Sequence, residues 1–551
     1  MNAPAHHPSA FPWQRLLALM LALFSLGIAW AGMTAISRDD PWYRNTDMNM
    51  HNMVDALAIN SNISPNPFAQ PAVPLKYLLA LDYRVRHQLG ILPVWNMETF
   101  GDSADPLREI PRLIRIERMH SRVLVIALIL AAAALTYAVA RDLAATGLGI
   151  ILLCGSAGLL FQGLLARPEL LCVGFGNVLA LGCTWRATIT PRWPAKHAWL
   201  FLAGFLGGVA SLEKVPGVCY VALCYGWCWL AAWIARRENP AAGPAVQPDF
   251  WSGLLPAAAG ISMLWLLFRL DSFHDDLGPV VLGRLRFAAI VITVLPLLAQ
   301  GAARHRRGAF FAERMRELAL LGGGALAALP LSYLLLRGVM SEQPASRYMT
   351  GVLHFLANPA PYVEGFLGGK ETTRLALLSS LKDAPFLFGG AVLLSGWVCQ
   401  LRGVPLRLKG FMGLLLGGAL GLTYLMSKRH FSHQYSVFPQ VPLLLVWTLG
   451  LHAVLLWWRA RRPGPGMPWP ALLVLLASFA IMLTAQRRVQ SRYYFYQDDV
   501  GLPVNHLTLT FLFDHDAHAA AYLKLMKDRY GDRENFAKEL DRYLSDPAHR
   551  D

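Results

Sequence analysis

Asp47, His51 and Asp55 recur at every fourth residue in RNTDMNMHNMVD, the stretch Arg44–Asp55. On a helix, positions i, i+4 and i+8 share one face. Two carboxylates flanking an imidazole suit two chemistries: ligation of a divalent metal ion, or general-base activation of a hydroxyl nucleophile. In a wet loop the same residues would only keep the chain solvated, and spacing alone leaves all three readings open. A second group is Arg167-Pro168-Glu169, in a very short connector between two apolar runs. Pro168 suits the first turn of the next helix, and Glu169 complements that helix's N-terminal dipole. A third is Glu213-Lys214, closing another apolar run. Charges at that depth must pair or face a polar cavity, and the plain reading pairs the two neighbours with each other. A fourth is SKRHFSHQYSVFPQVP (Ser427–Pro442), which gathers Lys428, Arg429, His430, His433 and Tyr435 before a late apolar run. Its cations suit a lipid phosphate, or simple anchoring at the membrane surface. Asp514-His515-Asp516 reads as the capped start of a tail helix, and Asn62-Ile63-Ser64, followed by Pro65, carries no usable glycosylation signal.

The elements that must position these residues follow from composition. Of 551 residues, 55% are hydrophobic and 15% charged, where a soluble domain carries about 25% charged residues. Apolar runs of membrane-crossing length recur, Leu16–Met33 and Val123–Ala140 among them. They predict an all-α polytopic membrane protein with about 13 transmembrane helices. The spans fall near 13–35, 121–140, 146–166, 169–186, 198–213, 216–235, 251–269, 286–301, 317–336, 386–401, 410–426, 436–458 and 469–485. The net charge of +15 concentrates in alternate connectors: Arg186, Arg192 and Lys196, then Arg236 and Arg237, then Arg304, Arg306, Arg307, Arg314 and Arg316, then Arg402, Arg407 and Lys409, then Arg459, Arg461 and Arg462. That is the positive-inside pattern with a cytoplasmic N-terminus, and it accounts for the basic excess without nucleic acid. The first run ends in Ala29-Trp30-Ala31, which resembles a cleavage site, but its length favours an uncleaved anchor.

The chain divides into a membrane domain, 1–485, and a charge-balanced helical tail, 486–551, outside the membrane. Two long external loops, 36–120 and 337–385, interrupt the membrane domain. In the first, VPLKYLLALDYRVRHQLG (Val73–Gly90) sets Leu75, Leu78, Leu79, Leu81 and Val85 against Lys76, Asp82, Arg84 and Arg86. A second, basic segment, ADPLREIPRLIRIERMHSR, leads into the second span. Both suit helices lying at the membrane–water interface. The connectors ENPAAGPAVQPD and RRPGPGMPWP read as plain loops, and no internal repeat is visible. The seven cysteines lie in apolar segments without a CxxC, which predicts buried thiols and no disulfide framework.

In order and sidedness these features resemble the GT-C superfamily of polytopic glycosyltransferases, in the branch of the protein O-mannosyltransferases and the lipid A aminoarabinose transferase. Asp47 resembles that family's acidic residue early in the first external loop. Arg167-Pro168-Glu169 resembles its acidic turn between spans three and four. Lys214 and Gly217 in SLEKVPGV resemble its Lys-Gly-Pro-like turn, and His433, Tyr435, Pro439 and Pro442 resemble its Arg-Tyr…Pro…Pro stretch. There are departures. Met48 follows Asp47 where a second acid is usual, and Gln70-Pro71-Ala72-Val73-Pro74 stands where the aminoarabinose transferase has Lys-Pro-Pro. Lys76, Arg84 or Arg86 would therefore have to supply that phosphate-binding charge. The resemblance covers residues 13–450 and leaves the tail unassigned.

The resemblance implies transfer of a sugar from a polyprenyl-phosphate donor to a lipid, glycan or protein acceptor hydroxyl. The site would face the periplasm from a bacterial inner membrane. Asp47 is the expected base, with Asp55 in reserve and Glu169 shaping the acceptor or metal side. His51 would orient Asp47. Lys76, Arg84, Arg167, Lys214, Arg429, His433 and Tyr435 are the expected substrate contacts. A divalent metal ion is compatible with this set but not required by it. The alternative is a transporter or flippase of lipid-linked or amphiphilic substrates, which predicts ionisable residues in mid-span and often repeat symmetry; here the charges crowd at span ends.

Overall fold

The computed structural model describes residues 12–39, 49–65, 72–165, 167–190, 193–238, 250–271, 277–303, 309–357, 374, 378, 384–427, 435–461, 469–498 and 520–546. Within them the chain is a succession of helices. The first is α1 (Pro12–Asp39), long and apolar enough to cross a membrane, followed by a segment that holds α2 (Asn49–Asn60), α3 (Val73–Gln88) and α4 (Met97–Gly101). The bundle continues with α5 (Pro106–Ala140), the pair α6 (Leu143–Cys154) and α7 (Ala157–Gln162), then α8 (Pro168–Val173) joined through a π-helical segment, Gly174–Ala180, to α9 (Leu181–Ile189). After α10 (Trp193–Glu213), α11 (Gly217–Glu238), α12 (Phe250–Asp271), α13 (Gly278–Ala303) and α14 (Ala309–Arg337) comes the shorter α15 (Glu342–Ala357). The late spans are α16 (Pro385–Gln400), α17 (Leu406–Ser427), α18 (Val437–Arg461) and α19 (Trp469–Asp498), and the tail holds α20 (Ala520–Tyr530) and α21 (Arg533–Ser545). Among the described residues, eleven helices are long and apolar enough to cross a membrane, and Leu143–Cys154 and Pro385–Gln400 are shorter apolar helices. The chain is a multi-pass membrane protein.

Three elements differ from the sequence expectation. The basic segment before the second span is not a separate surface helix. Asp105 caps it through the Arg108 N–H at 3.2 Å, Pro106 opens it, and it runs unbroken into the span as α5, 35 residues or about 52 Å long. The third span is broken at Gly155-Ser156, where Ser156 caps α7 and two glutamines from other spans take up the freed backbone groups. Gln440 of α18 accepts from Gly158 N–H and Ser156 Oγ at 2.8 Å each, and Gln486 of α19 donates to the Cys154 carbonyl at 2.7 Å. The fourth span carries the π-helical segment, in which Gly176 lies so close to the Tyr220 ring that a Cβ would overlap it. The Pro/Gly-rich connectors fall largely outside the described residues. Cys399 is exposed, against expectation, while all seven thiols are free as expected.

Two apolar cores organise the molecule. One fills the bundle of α1, α5–α11 and α16–α19. The other joins α2, α3 and the start of α5 to α12–α15 and the tail, through Leu57, Leu79, Tyr83, Ile114, Tyr333, Tyr348, Phe536 and Leu540. Close backbone approach of α10 to α14 ties the two together. Gly204 packs on the Leu321 carbonyl, Gly208 on that of Ala325 and Gly324 on that of Phe201, the small-residue contact expected between helices in lipid. At one end of α10, Lys196 pairs with Glu313 at 2.8 Å and Glu317 at 2.9 Å. At the other, about 27 Å away along the axis, stand Glu213 and Lys214. The tail closes on the segment between α4 and α5, where Arg529 donates to the carbonyls of Ser103 and Ala104 at 2.7 and 2.6 Å.

Candidate functional site

The turn before α8 forms as its residues require. Arg167 is extended (φ −126°, ψ 136°), as a residue before proline must be, Pro168 takes the first helical position, and Glu169 follows in the first turn. Both charged side chains are buried, Arg167 at 2% exposure and Glu169 at 0%. Lys214 does not pair with its neighbour Glu213. It reaches across to Glu169, with which it forms a short, hydrogen-bonded ion pair, and Arg167 Nη1 flanks the same carboxylate oxygen at 3.6 Å. The Lys214 ammonium also lies over the Tyr435 ring, 4.7 Å from its centroid, at the head of α18. Cys172, one turn beyond Glu169, donates its thiol to the Lys214 carbonyl at 3.8 Å.

The second half of the cluster comes from α2, α3 and α15. In α2, His51, Asn52 and Asp55 are buried, and Asp55 pairs with Lys76 of α3 at 2.8 Å. Residues at spacings of three and four bring Lys76 onto the buried face with Val73, Leu79, Ala80 and Tyr83, while Leu78, Leu81 and Val85 are exposed. The sequence reading put Lys76 on the wet face. The reason it is buried is the carboxylate opposite, which compensates the ammonium and lets the aliphatic stem pack as an apolar group. Tyr348 of α15 covers it, with Lys76 Nζ 5.6 Å from the ring centroid. Burial, chiefly, and then the Asp55 and Glu213 carboxylates hold the Tyr348 hydroxyl well above the usual tyrosine range, so it stays protonated.

Glu213 joins the halves. Its Oε1 accepts the Leu75 N–H at 2.9 Å and its carbonyl accepts the Ala72 N–H at 3.3 Å. The result is a buried set of six ionisable side chains, Asp55, Glu169 and Glu213 beside Lys76, Arg167 and Lys214, all at most 4% exposed. Charges withdrawn from water at the end of membrane spans are expensive and mark function. Glu169 and Glu213 each keep one oxygen without a hydrogen-bond partner among the described residues. Hard-cation ligands are thus present, though among the described residues no group of three His, Cys, Asp or Glu converges.

Of the expected site residues, Asp55, His51, Lys76, Arg167, Glu169, Lys214 and Tyr435 belong to this region. Arg84 is not brought to it: its guanidinium stacks over Trp95 at 5.2 Å, eight positions along α3. Arg86 is held by Asp82 at 2.6 Å. Asp47, Lys428, Arg429, His430, His433 and the Asp514–His518 stretch lie outside the described residues. Sequence reasoning missed Tyr348, which sits in an amphipathic stretch with no charge pattern to single it out. It also missed Asn62, whose side-chain oxygen accepts the Ser341 N–H at 2.5 Å and ties the first loop to the second.

No protein-family model matches the chain, and no curated protein matches it in sequence. Solved structures do resemble it. The archaeal oligosaccharyltransferase AglB from Archaeoglobus fulgidus, in complex with an inhibitory peptide and a dolichol-phosphate, aligns with a TM-score of 0.51 and 16% identity over 92% of this chain. The apo form of the Archaeoglobus fulgidus oligosaccharyltransferase aligns with a TM-score of 0.47 and 14% identity, over 92% of this chain and 60% of that one. The present chain spans 59% of the length of the AglB chain. The likeness to AglB is one of fold alone: the helices of this chain follow the same architecture.

Proposed function

We propose that the protein is a membrane glycosyltransferase that moves a sugar from a polyprenyl-phosphate donor to an acceptor hydroxyl on the non-cytoplasmic face. The carrying observation is the buried cluster of six ionisable side chains at the outer end of α10, on a GT-C-type scaffold. In the reaction the acceptor oxygen bonds to C1 of the sugar as the C1–O bond to phosphate breaks, its electron pair leaving on the lipid phosphate. A base takes the hydroxyl proton, and cations stabilise the departing phosphate. Asp47 is assigned as the base by its place in the sequence, eight residues after the end of α1, with His51, four residues on, assigned to orient it. Lys76, Arg167 and Lys214, with Arg429 and His433, are assigned to the phosphate and sugar, and Glu169 holds Lys214 and Arg167 in place. Asp55, paired to Lys76, is assigned to positioning that lysine rather than to proton transfer. The outward row Leu78, Leu81 and Val85 would rest in the lipid surface, so that a lipid donor arrives beside Lys76.

The contact pattern also supports thirteen crossings. Glu213 bonded to Leu75, and Lys214 to Glu169, set the Arg167 turn and the end of α10 on the side of the first loop. Since α5 crosses away from that loop, α6 and α7 together must cross back. The tail bonded to Ser103 and Ala104 then requires α16 to cross as well.

The test is transfer by the purified protein in nanodiscs from a panel of polyprenyl-phosphate sugars. Wild type transfers from at least one donor, and Asp47→Asn loses about 100-fold or more. No transfer from any donor would sink the activity, and full activity in the variant would remove the base assignment alone.

A further inference from the structure

Glu213 is part of neither ion pair yet is bound to both. It is covalently next to Lys214, whose ammonium is on Glu169, and it accepts the N–H of Leu75, whose neighbour Lys76 is on Asp55. The first N–H groups of a helix have no acceptor within it. Helix α3 has no local remedy, because its cap position is Ala72, a residue without a capping atom and in the left-handed region at φ +42°. The acceptor comes instead from 138 positions away in sequence. A non-glycine residue at positive φ is strained and persists only where its surroundings fix it. Here the Glu213 carbonyl fixes it by accepting the Ala72 N–H at 3.3 Å. One residue thus caps α3 with its side chain and anchors the preceding backbone with its carbonyl, while it remains fully buried.

We propose that Glu213 is a positioning residue for the phosphate-binding cations: by capping α3 from the end of α10 it fixes Lys76 relative to Lys214, so that the two ammonium groups act on one lipid phosphate as a unit. This rests on reading the cluster as a lipid-phosphate site. The cap itself is a matter of hydrogen bonding and is testable without that reading.

Two measurements on the purified protein separate the parts. The first is amide hydrogen exchange over the first turns of α3. Glu213→Ala accelerates exchange there, Glu213→Gln, which keeps an acceptor oxygen at the same reach, retains wild-type protection, and Glu213→Asp, one methylene short, falls between. Wild-type protection in the Ala or Asp variant overturns the cap, and the Asp and Gln variants carry the comparison if the Ala variant does not fold. The second is affinity for polyprenyl phosphate without a sugar. Glu213→Ala weakens it about tenfold, as Lys76→Ala does, and the double variant is no weaker than Lys76→Ala alone. Additive losses overturn the coupling through Lys76. Failure of wild type to bind polyprenyl phosphate overturns the coupling and the lipid-phosphate reading together, and the exchange result then decides the cap by itself.

Discussion

At the level of single residues, the decisive fact is which carboxylate Lys214 takes. Sequence proximity favoured Glu213, but a lysine ending a helix can reach any acid that the fold brings alongside, and Glu169, 45 positions away, is the one it meets. The presence of both acids was legible; their partners were not, because pairing across spans depends on helix packing. Removing one member of a buried pair leaves an uncompensated charge, and Lys214→Met should cost about 3–5 kcal/mol of stability and abolish transfer. The double variant Glu169→Gln/Lys214→Met removes both charges. It should recover part of the thermal stability in detergent, since Arg167 still loses the carboxylate it flanks at 3.6 Å, and remain inactive, whereas recovered activity would reduce the pair to a structural bolt. Tyr348 gives a pH signature. Its pKa is raised in the fold above the ordinary 10.0, so it binds a proton in the folded state at a pH where the unfolded chain has lost it. Its contribution to stability is therefore complete below about pH 10 and falls away as pH rises beyond it. Between about pH 9 and pH 11, Tyr348→Phe should lose less melting temperature than wild type. An equal loss would mean the hydroxyl is not held neutral.

At the level of elements, the apolar runs located the spans because hydrophobic length is a direct read-out of bilayer thickness. What they concealed is irregularity inside a span. Gly155-Ser156 looks like ordinary small-residue content in an apolar run, yet the helix breaks there, and the break is tolerable only because Gln440 and Gln486 arrive from other spans. Neither glutamine marks itself in sequence as a partner of the third span. Gln440→Leu leaves Gly158 N–H and Ser156 Oγ buried without their acceptor, a loss of about 1–3 kcal/mol for each group. Thermal unfolding in detergent reads it directly, and an unchanged midpoint would show that the break is satisfied by other means. Helix α3 was misjudged for a related reason. Two-way amphipathic reasoning sorts residues into wet and dry, but this helix has an exposed apolar row, Leu78, Leu81 and Val85, and a buried row that includes a charge, Lys76. A buried charge with its own counter-ion is invisible to any hydrophobic pattern.

At the level of the whole molecule, sidedness carries the functional reading, because every assigned residue must emerge on one face. The arginine- and lysine-rich connectors mark the opposite face. Lys409 there donates to the carbonyls of Cys399 and Leu401 at 3.0 and 2.7 Å, closing the end of α16 in the manner expected of a cation at a helix C-terminus. The tail, by contrast, is bonded to Ser103 and Ala104, between α4 and α5. Two exposed positions therefore report on opposite faces: Lys538 in α21 and Arg402 in the connector after α16. In a background carrying Cys399→Ser, which removes the exposed native thiol, Lys538→Cys should react with a membrane-impermeant maleimide supplied on the non-cytoplasmic side of sealed membranes. Arg402→Cys should react only after those membranes are permeabilised. Labelling of both positions on one side would break the argument that α16 crosses the membrane. The reverse order would put the buried cluster on the cytoplasmic face, where a donor presented from outside could not reach Lys76 and Lys214.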